Sequence, residues 1–250
     1  MNVDALHWKD KKVCFLGDSI TEGVGCKRDR VYWRVLAEKI GINAFGYGVN
    51  GAKFGELLSQ AEKMKEERGN DVDAIFVFAG TNDFRRCKPM GEWYSVTEKS
   101  VPKDLTSLGP ENTETRKVRT FIYDTDTFRG SVNTVLSFLK TNYPDKQIVL
   151  MTPIHRAYSV FGLQNVQYDE LHSNSDGLFI EDYIASVKEA ANIWSTELID
   201  LNSASGLFPL FDKSAKLFYA GENDRLHPNE SGHARIAEVI AKKLTAIPVF

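Results

Sequence analysis

Short apolar runs alternate with longer amphipathic segments along most of the chain. The runs at 13–16, 73–79 and 147–151 are almost wholly apolar, and glycine or proline follows each within two residues. Such runs are typical of strands buried on both faces of a sheet. The predicted strands are 13–16, 42–49, 73–79, 147–151 and 197–201, and the predicted helices are 31–40, 54–68, 128–142, 180–194 and 231–244.

The order strand, helix, strand, helix predicts an α/β fold. Parallel strands joined by helices need a helix layer on each face of the sheet, so we expect a three-layer α/β/α sandwich around five parallel strands. No linker interrupts the pattern, which favours one domain over residues 1–250. Two stretches, 84–127 and 155–177, show no clean period. We interpret them as irregular insertions, and loops of that length are usually functional or disordered.

Composition and charge exclude several classes of function. The net charge of −3 gives no electrostatic basis for a nucleic-acid partner. No apolar run of 18 residues is present, so no membrane span is expected. Residues 1–12 lack the apolar core of a signal peptide, which favours the cytoplasm, or secretion or the periplasm if a leader was removed. The three cysteines form neither a disulfide framework nor a metal-ligand spacing.

Reactive side chains follow the predicted strands, where parallel sheets bind ligands. Ser19 follows the first strand, Gly51 the second and Asn82 the third, while Asp224 and His227 precede the last helix. A serine hydroxyl needs a base, and the pKa of histidine suits that task. Asp224, three residues before His227, is placed to orient the imidazole. The N–H groups of Ser19 and Gly51 and the Asn82 amide are candidate donors to an oxyanion.

These segments resemble the four signature blocks of the SGNH/GDSL hydrolases, in the family's order: GDSIT at 17–21, NG at 50–51, GTND at 80–83 and DRLHPN at 224–229. The resemblance implies a flavodoxin-like fold and a serine esterase that needs no cofactor and no metal. It makes Ser19 the nucleophile, His227 the base and Asp224 the triad acid. The Ser19 N–H, Gly51 and Asn82 then form the oxyanion hole.

Each of these residues also has a structural interpretation. Ser19 could cap a helix, His227 could lie on the surface near a helix start, and Asn82 could form an Asx-turn. Asp18 is expected to hold the turn before Ser19 by hydrogen bonds. Asn229 is a good cap for the last helix.

Three further patterns suggest other chemistry. The run at 46–51 matches the dinucleotide fingerprint G-x-G-x-x-G, which would make the protein a nucleotide-dependent oxidoreductase. His155, His172 and His233 invite a metal site, but they lack ligand spacing. The cluster Arg85, Arg86 and Lys88 would suit an anionic substrate group, and a solvated charge run is the alternative.

The sequence defines the substrate only coarsely. The two irregular stretches are expected to cover the site with aromatic rings that suit a sugar or an acyl group: Trp93, Tyr94, Tyr158, Phe161 and Tyr168. We expect short-acyl or acetyl esters, including those of carbohydrates, because no apolar stretch indicates a long-chain lipid channel. The partner would be a small-molecule or glycan ester. The alternatives are a lysophospholipase or thioesterase-type lipolytic enzyme and a non-catalytic carbohydrate-binding module.

Overall fold

A computed structural model describes residues 5–104, 106, 109–220 and 223–249. The strands are β1 (Lys12–Gly17), β2 (Asn43–Gly46), β3 (Ala74–Phe78), β4 (Tyr94–Pro102), β5 (Thr113–Phe121), β6 (Gln147–Met151), β7 (Ser159–Val160), β8 (Val166–Gln167), β9 (Glu197–Ile199), β10 (Phe218–Ala220) and β11 (Asp224–Pro228). The α-helices are α1 (Ser19–Glu22), α2 (Tyr32–Ile40), α3 (Leu57–Arg68), α4 (Thr81–Arg85), α5 (Phe128–Asn142), α6 (Ile180–Ile193), α7 (Leu201–Ala204), α8 (Asp212–Ala215) and α9 (Glu230–Leu244).

Five parallel strands form the central sheet in the order β2-β1-β3-β6-β9. The chain runs from β1 to one neighbour, β2, and then crosses to the other neighbour, β3. This reversal leaves a crevice beyond the carboxyl ends of β1 and β3, as in other doubly wound sheets of this strand order. The predicted α/β/α sandwich with a flavodoxin-like sheet is confirmed.

Alternate residues of β1 supply two separate cores, because successive side chains of a strand point to opposite faces. Cys14 and Leu16 pack with α3, α5 and α6 on one face. Val13 and Phe15 pack with α2 and α9 on the other. All four side chains are fully buried, so β1 is clamped from both sides just before Ser19.

A long antiparallel hairpin occupies much of the stretch 84–127, where the sequence predicted irregular structure. β4 and β5 pair over nine positions, from Tyr94 opposite Phe121 to Pro102 opposite Thr113. The prediction was wrong here because both strands carry charged and polar residues on both faces, so no apolar period marks them. At the base of the hairpin, the Phe121 ring stacks on Trp194 with centroids 4.6 Å apart.

A second small antiparallel sheet, in the order β10-β11-β7-β8, lies outside the central one. It pairs Asp224 of β11 with Ser159 of β7, so it joins the last predicted motif to the stretch 155–177. The expectation of irregular structure in that stretch misses β7 and β8, since strands of two residues carry no pattern. In the described part of the chain, no helix is long and apolar enough to cross a membrane.

Candidate active site

Ser19 is the first residue of α1 and directly follows the end of β1. The Asp18 carboxylate accepts from Ile20 N at 3.0 Å, which is the turn-holding bond that the sequence predicted, and Asp18 rather than Ser19 caps the helix. The buried Gln60 side chain brackets Gly17, accepting from its N–H at 2.9 Å and donating to its carbonyl at 2.8 Å. A Cβ on Gly17 would lie 2.2 Å from Thr21 Oγ1, so only glycine fits. These contacts fix the turn that presents the Ser19 hydroxyl.

His227 and Asp224 lie on β11 and complete a line of hydrogen bonds with Ser19. His227 Nε2 lies 2.9 Å from Ser19 Oγ, and its Nδ1 lies 2.8 Å from Asp224 Oδ2. A carboxylate can only accept, so Nδ1 carries the proton and Nε2 accepts from the hydroxyl. Asp224 Oδ1 also accepts the backbone N–H groups of Leu226 and His227, each at 3.0 Å. The structure thus brings together three residues that the sequence assigned to one triad.

The surroundings of Asp224 keep it charged. Burial alone would raise the pKa of its carboxyl, but hydrogen bonds from the His227 side chain and from two backbone N–H groups outweigh that effect. The pKa therefore lies below its ordinary value. An ionised Asp224 can hold the imidazole in one tautomer and stabilise the imidazolium when it forms.

Gly51 and Asn82 meet on the other side of Ser19. Gly51 lies in the loop after β2 with φ of 77°, a left-handed conformation that favours glycine. Asn82 Nδ2 donates one of its two N–H groups to Ala52 O at 3.1 Å, and Asp83 Oδ2 accepts from Phe54 N at 2.8 Å. Helix α4 therefore holds the Gly51 loop at two points.

Three N–H donors remain for a substrate oxygen. Within the described ranges, the backbone N–H groups of Ser19 and Gly51 have no hydrogen-bond partner, and the second N–H of the Asn82 amide has none either. Donors held in place before the reaction, with no acceptor of their own, are what an oxyanion hole requires.

A cavity of about 550 Å³ opens over these groups. The Phe161 ring, on the turn between β7 and β8, lies 5.5 Å from the His227 imidazole, centroid to centroid. The residues that line the cavity are Ser19, Val24, Asn50, Gly51, Asn82, Arg85, Arg86, Phe161, Asn165, Gln167, Leu226 and His227.

Arg156 ties the cavity wall to α4. Its guanidinium donates to the carbonyl and hydroxyl of Thr81 at 3.2 and 3.1 Å, and to Gln167 Oε1 at 2.6 Å. Burial and the charge of Arg85 lower the pKa of Arg156 to about 10, so it stays protonated at neutral pH. Sequence reasoning missed Arg156 and Gln60, because an isolated charged or polar residue gives no signal that it is buried.

The predicted aromatic cover is only partly present. Phe161 lines the cavity, and Tyr168 lines a neighbouring cavity of about 450 Å³. Trp93 is instead buried beneath the hairpin, and Tyr94 packs on Phe121 at its base, with ring centroids 4.9 Å apart. Their part of the stretch 84–127 pairs as a hairpin and packs towards Trp194, the C-cap of α6, rather than over Ser19.

The three histidines that suggested a metal site each have contacts of their own. His155 contacts Glu170 at 2.6 Å, and His172 contacts Asp169 at 2.8 Å. His233 is buried, and its Nδ1 accepts from the backbone N–H of Tyr32 at 3.2 Å. Burial and the charge of His227 lower the pKa of His233 to about 3. No group of three metal-ligating side chains occurs among the residues described.

The glycine run has packing reasons of its own. A Cβ on Gly46 would lie 2.5 Å from the Trp33 ring, and one on Gly48 would lie 2.5 Å from Glu22 N. Helix α3 begins only at Leu57, several residues after Gly51. A dinucleotide site places the helix start at the glycines, so this geometry disfavours the oxidoreductase hypothesis.

Comparison with known proteins gives a family match over most of the chain. The model of the GDSL-like Lipase/Acylhydrolase family matches residues 15–235. A comparison with curated proteins found no match.

Solved structures share the fold over nearly the whole chain. A protein from Lactobacillus plantarum is 24% identical, with a TM-score of 0.70 over 95% of this chain and 98% of that one. A mutant of Axe2, an acetyl-xylooligosaccharide esterase from Geobacillus Stearmophilus, is 19% identical, with a TM-score of 0.56 over 94% of each chain. A two-domain esterase active on acetylated mannans is 14% identical, with a TM-score of 0.57 over 97% of this chain and 50% of that one.

Asp18 generates a pH-dependent prediction. Burial raises the pKa of its carboxyl to about 6, while the Ile20 N–H and the charge of His227 act against that rise. A group whose pKa is higher in the folded state stabilises the fold at low pH, and that stability is lost as pH rises through the folded pKa. Between about pH 4.5 and pH 8, wild type should lose about 2 kcal/mol of unfolding free energy relative to Asp18→Asn.

Urea denaturation of both proteins across that pH range measures the difference. Asn keeps the cap acceptor for Ile20 but cannot ionise. Asp126→Asn, at an exposed site, gives the baseline for removing a surface carboxylate. A difference between wild type and Asp18→Asn that stays flat with pH would contradict the prediction.

Proposed function

The chain belongs to the GDSL-like lipase/acylhydrolase family and is a carboxylic ester hydrolase, and we propose that Ser19, His227 and Asp224 are its catalytic triad. One observation carries this proposal: the unbroken line of hydrogen bonds from Ser19 Oγ through both imidazole nitrogens to Asp224, at 2.9 and 2.8 Å. The nucleophile, its base and the group that orients the base are already in contact.

The reaction begins when His227 Nε2 takes the hydroxyl proton of Ser19 as Oγ attacks the ester carbonyl carbon. The carbonyl oxygen becomes an oxyanion and accepts the N–H groups of Ser19, Gly51 and the Asn82 amide. When the tetrahedral intermediate collapses, the bond to the alkoxy oxygen breaks. The imidazolium of His227 gives its proton to the leaving alcohol, and the acyl group stays on Ser19.

Deacylation repeats these steps with water. His227 takes a proton from a water molecule, whose oxygen attacks the acyl carbon. The second tetrahedral intermediate expels Ser19 Oγ, which recovers its proton from His227, and the carboxylic acid leaves. Throughout, Asp224 stays ionised and holds Nδ1 of the imidazole.

For the substrate, we propose short-acyl or acetyl esters of carbohydrates. The cavity is lined mostly by polar side chains, among them Asn165 and Gln167, and not by the apolar tunnel that a long acyl chain needs. The neighbouring cavity shares Arg85 and Gln167 with it and carries Tyr168, a residue that is 71% exposed. One face of the Tyr168 ring stacks on His172, and the other face could stack on a sugar. Two of the solved structures of this fold are esterases of acetylated glycans, which supports the choice.

Replacing the nucleophile gives a direct test of the triad. Ser19→Ala should lower kcat for p-nitrophenyl acetate by roughly a thousandfold or more, because no other group in the cavity can form the acyl-enzyme. Circular dichroism and thermal melting should match wild type. Retained activity in a folded Ser19→Ala protein would contradict the assignment, whereas a folded wild type that hydrolyses no ester would favour a non-catalytic carbohydrate-binding module.

Acyl length tests the substrate class. We expect kcat/KM to fall from acetyl to octanoyl p-nitrophenyl esters, since the cavity of about 550 Å³ must hold the acyl group and part of the alcohol. Acetylated xylo-oligosaccharides should also release acetate, measured by chromatography. A rise in kcat/KM with acyl length would overturn this proposal in favour of a lipolytic or thioesterase-type enzyme.

A further inference from the structure

We propose that Arg86, supported by Arg85, makes this enzyme selective for esters that carry an anionic group, such as a carboxylate, close to the ester bond. The inference rests on the proposed function, because it names a substrate feature for the same cavity. It develops, for Arg85 and Arg86, the anionic-substrate hypothesis that the sequence left open beside a solvated charge run.

The helical spacing places both guanidinium groups beside the oxyanion donors. Arg85 is the last residue of α4 and Arg86 is its C-cap, three and four positions after Asn82. Side chains at those spacings share one face of a helix. Both arginines line the cavity, whereas Lys88 is buried elsewhere, beside Asp83 and Gly55.

Arg86 reaches the loop that carries the oxyanion N–H. Its Nη2 lies 3.3 Å from the position that a Cβ would take on Gly51. The guanidinium therefore lies at the mouth of the catalytic cavity. A substrate anion only a few bonds from the ester carbonyl can reach it while the carbonyl oxygen occupies the oxyanion hole.

No acidic side chain in the lining of the cavity neutralises the charge of Arg85 and Arg86. The lining includes two arginines and no aspartate or glutamate. Arg156 is fully buried and adds a third guanidinium near Arg85, and the charge of Glu170 acts on that guanidinium without lining the cavity. Asp224 does not line the cavity, and its carboxylate is hydrogen-bonded to His227.

Neither cavity arginine pairs with an acidic side chain in the described part of the chain, although Arg86 is exposed to solvent and Arg85 is half-buried. Some arginines elsewhere in the chain pair with an acid, as Arg225 does with Asp212 at 2.7 Å, and others lie over an aromatic ring, as Arg34 does over Trp33. In the described residues, the Arg86 side chain makes no ion pair or hydrogen bond, and Arg85 donates only to the neutral Asn165 at 3.1 Å. A guanidinium at the cavity mouth whose N–H groups have no acceptor can donate two parallel hydrogen bonds to the two oxygens of a carboxylate.

Two matched pairs of esters test the inference. The acyl arm compares mono-p-nitrophenyl succinate with p-nitrophenyl levulinate, where a methyl ketone replaces the carboxylate. The alcohol arm compares para-acetoxybenzoate with its methyl ester. For each pair, the ratio of kcat/KM for the anionic ester to that for the neutral ester is measured in wild type and variants at low salt.

We expect wild type to prefer the anionic ester in at least one arm, and Arg86→Gln to lower that ratio by about tenfold, the scale of a hydrogen bond to a charged group. Arg86→Lys, which keeps the charge and loses the fork, should give an intermediate ratio. Arg119→Gln, which removes an exposed arginine from the hairpin, controls for net charge and should leave the ratio at the wild-type value. Thermal melts check that each variant is folded.

The outcomes separate this inference from the proposed function. If folded Arg86→Gln keeps the wild-type ratio in both arms, or if wild type prefers the neutral ester in both, the inference is wrong while the esterase assignment stands. If wild type hydrolyses none of the four esters, the proposed function fails, and the inference fails with it.

Discussion

The hydrogen bond between Ser19 and His227 is the contact on which the rest of the site depends. It joins residues 208 positions apart, across a distance of 2.9 Å. Gln60 and the two cores hold β1 on one side of it. On the other side, Asn229 accepts two N–H groups at the start of α9 and donates to two carbonyls near β10. The position of Ser19 and the position of His227 are thus each fixed by neighbouring residues, and the fold brings the two side chains into contact.

Buried charge is distributed unevenly around that bond. Asp224 receives three hydrogen bonds, so the pKa of its carboxyl stays low despite burial. Asp18 and Asp83 are buried with fewer donors, and burial raises the pKa of each to about 6. Opposite them, Arg156 keeps its charge within a set of polar acceptors. The site therefore combines one firmly ionised carboxylate with a positive wall, an arrangement that suits an imidazolium intermediate and an anionic substrate.

The sequence predicts the framework well and its linking contacts poorly. The helix 128–142 and the strand 147–151 have the predicted bounds, because apolar period and burial coincide there. Three of the four motif blocks follow β1, β2 and β3 at one edge of the central sheet, as a parallel sheet requires. The fourth block meets them from β11 of the small antiparallel sheet. The sequence did not predict the hairpin of β4 and β5, because both of its strands are mostly polar and show no apolar period. The sequence also did not predict the roles of Gln60 and Arg156. Gln60 bonds to Gly17 and Arg156 to Thr81, partners that are distant in the sequence, and local patterns carry no information on such contacts.

The most direct test of the whole site is the structure of its adduct with a small fluorophosphonate, whose tetrahedral phosphorus stands in for the carbon of the intermediate. We predict a bond from phosphorus to Ser19 Oγ. We also expect a phosphoryl oxygen within about 3.2 Å of Ser19 N, Gly51 N and Asn82 Nδ2, the reach of a hydrogen bond. An adduct on another residue, or a phosphoryl oxygen turned away from all three donors, would contradict these predictions.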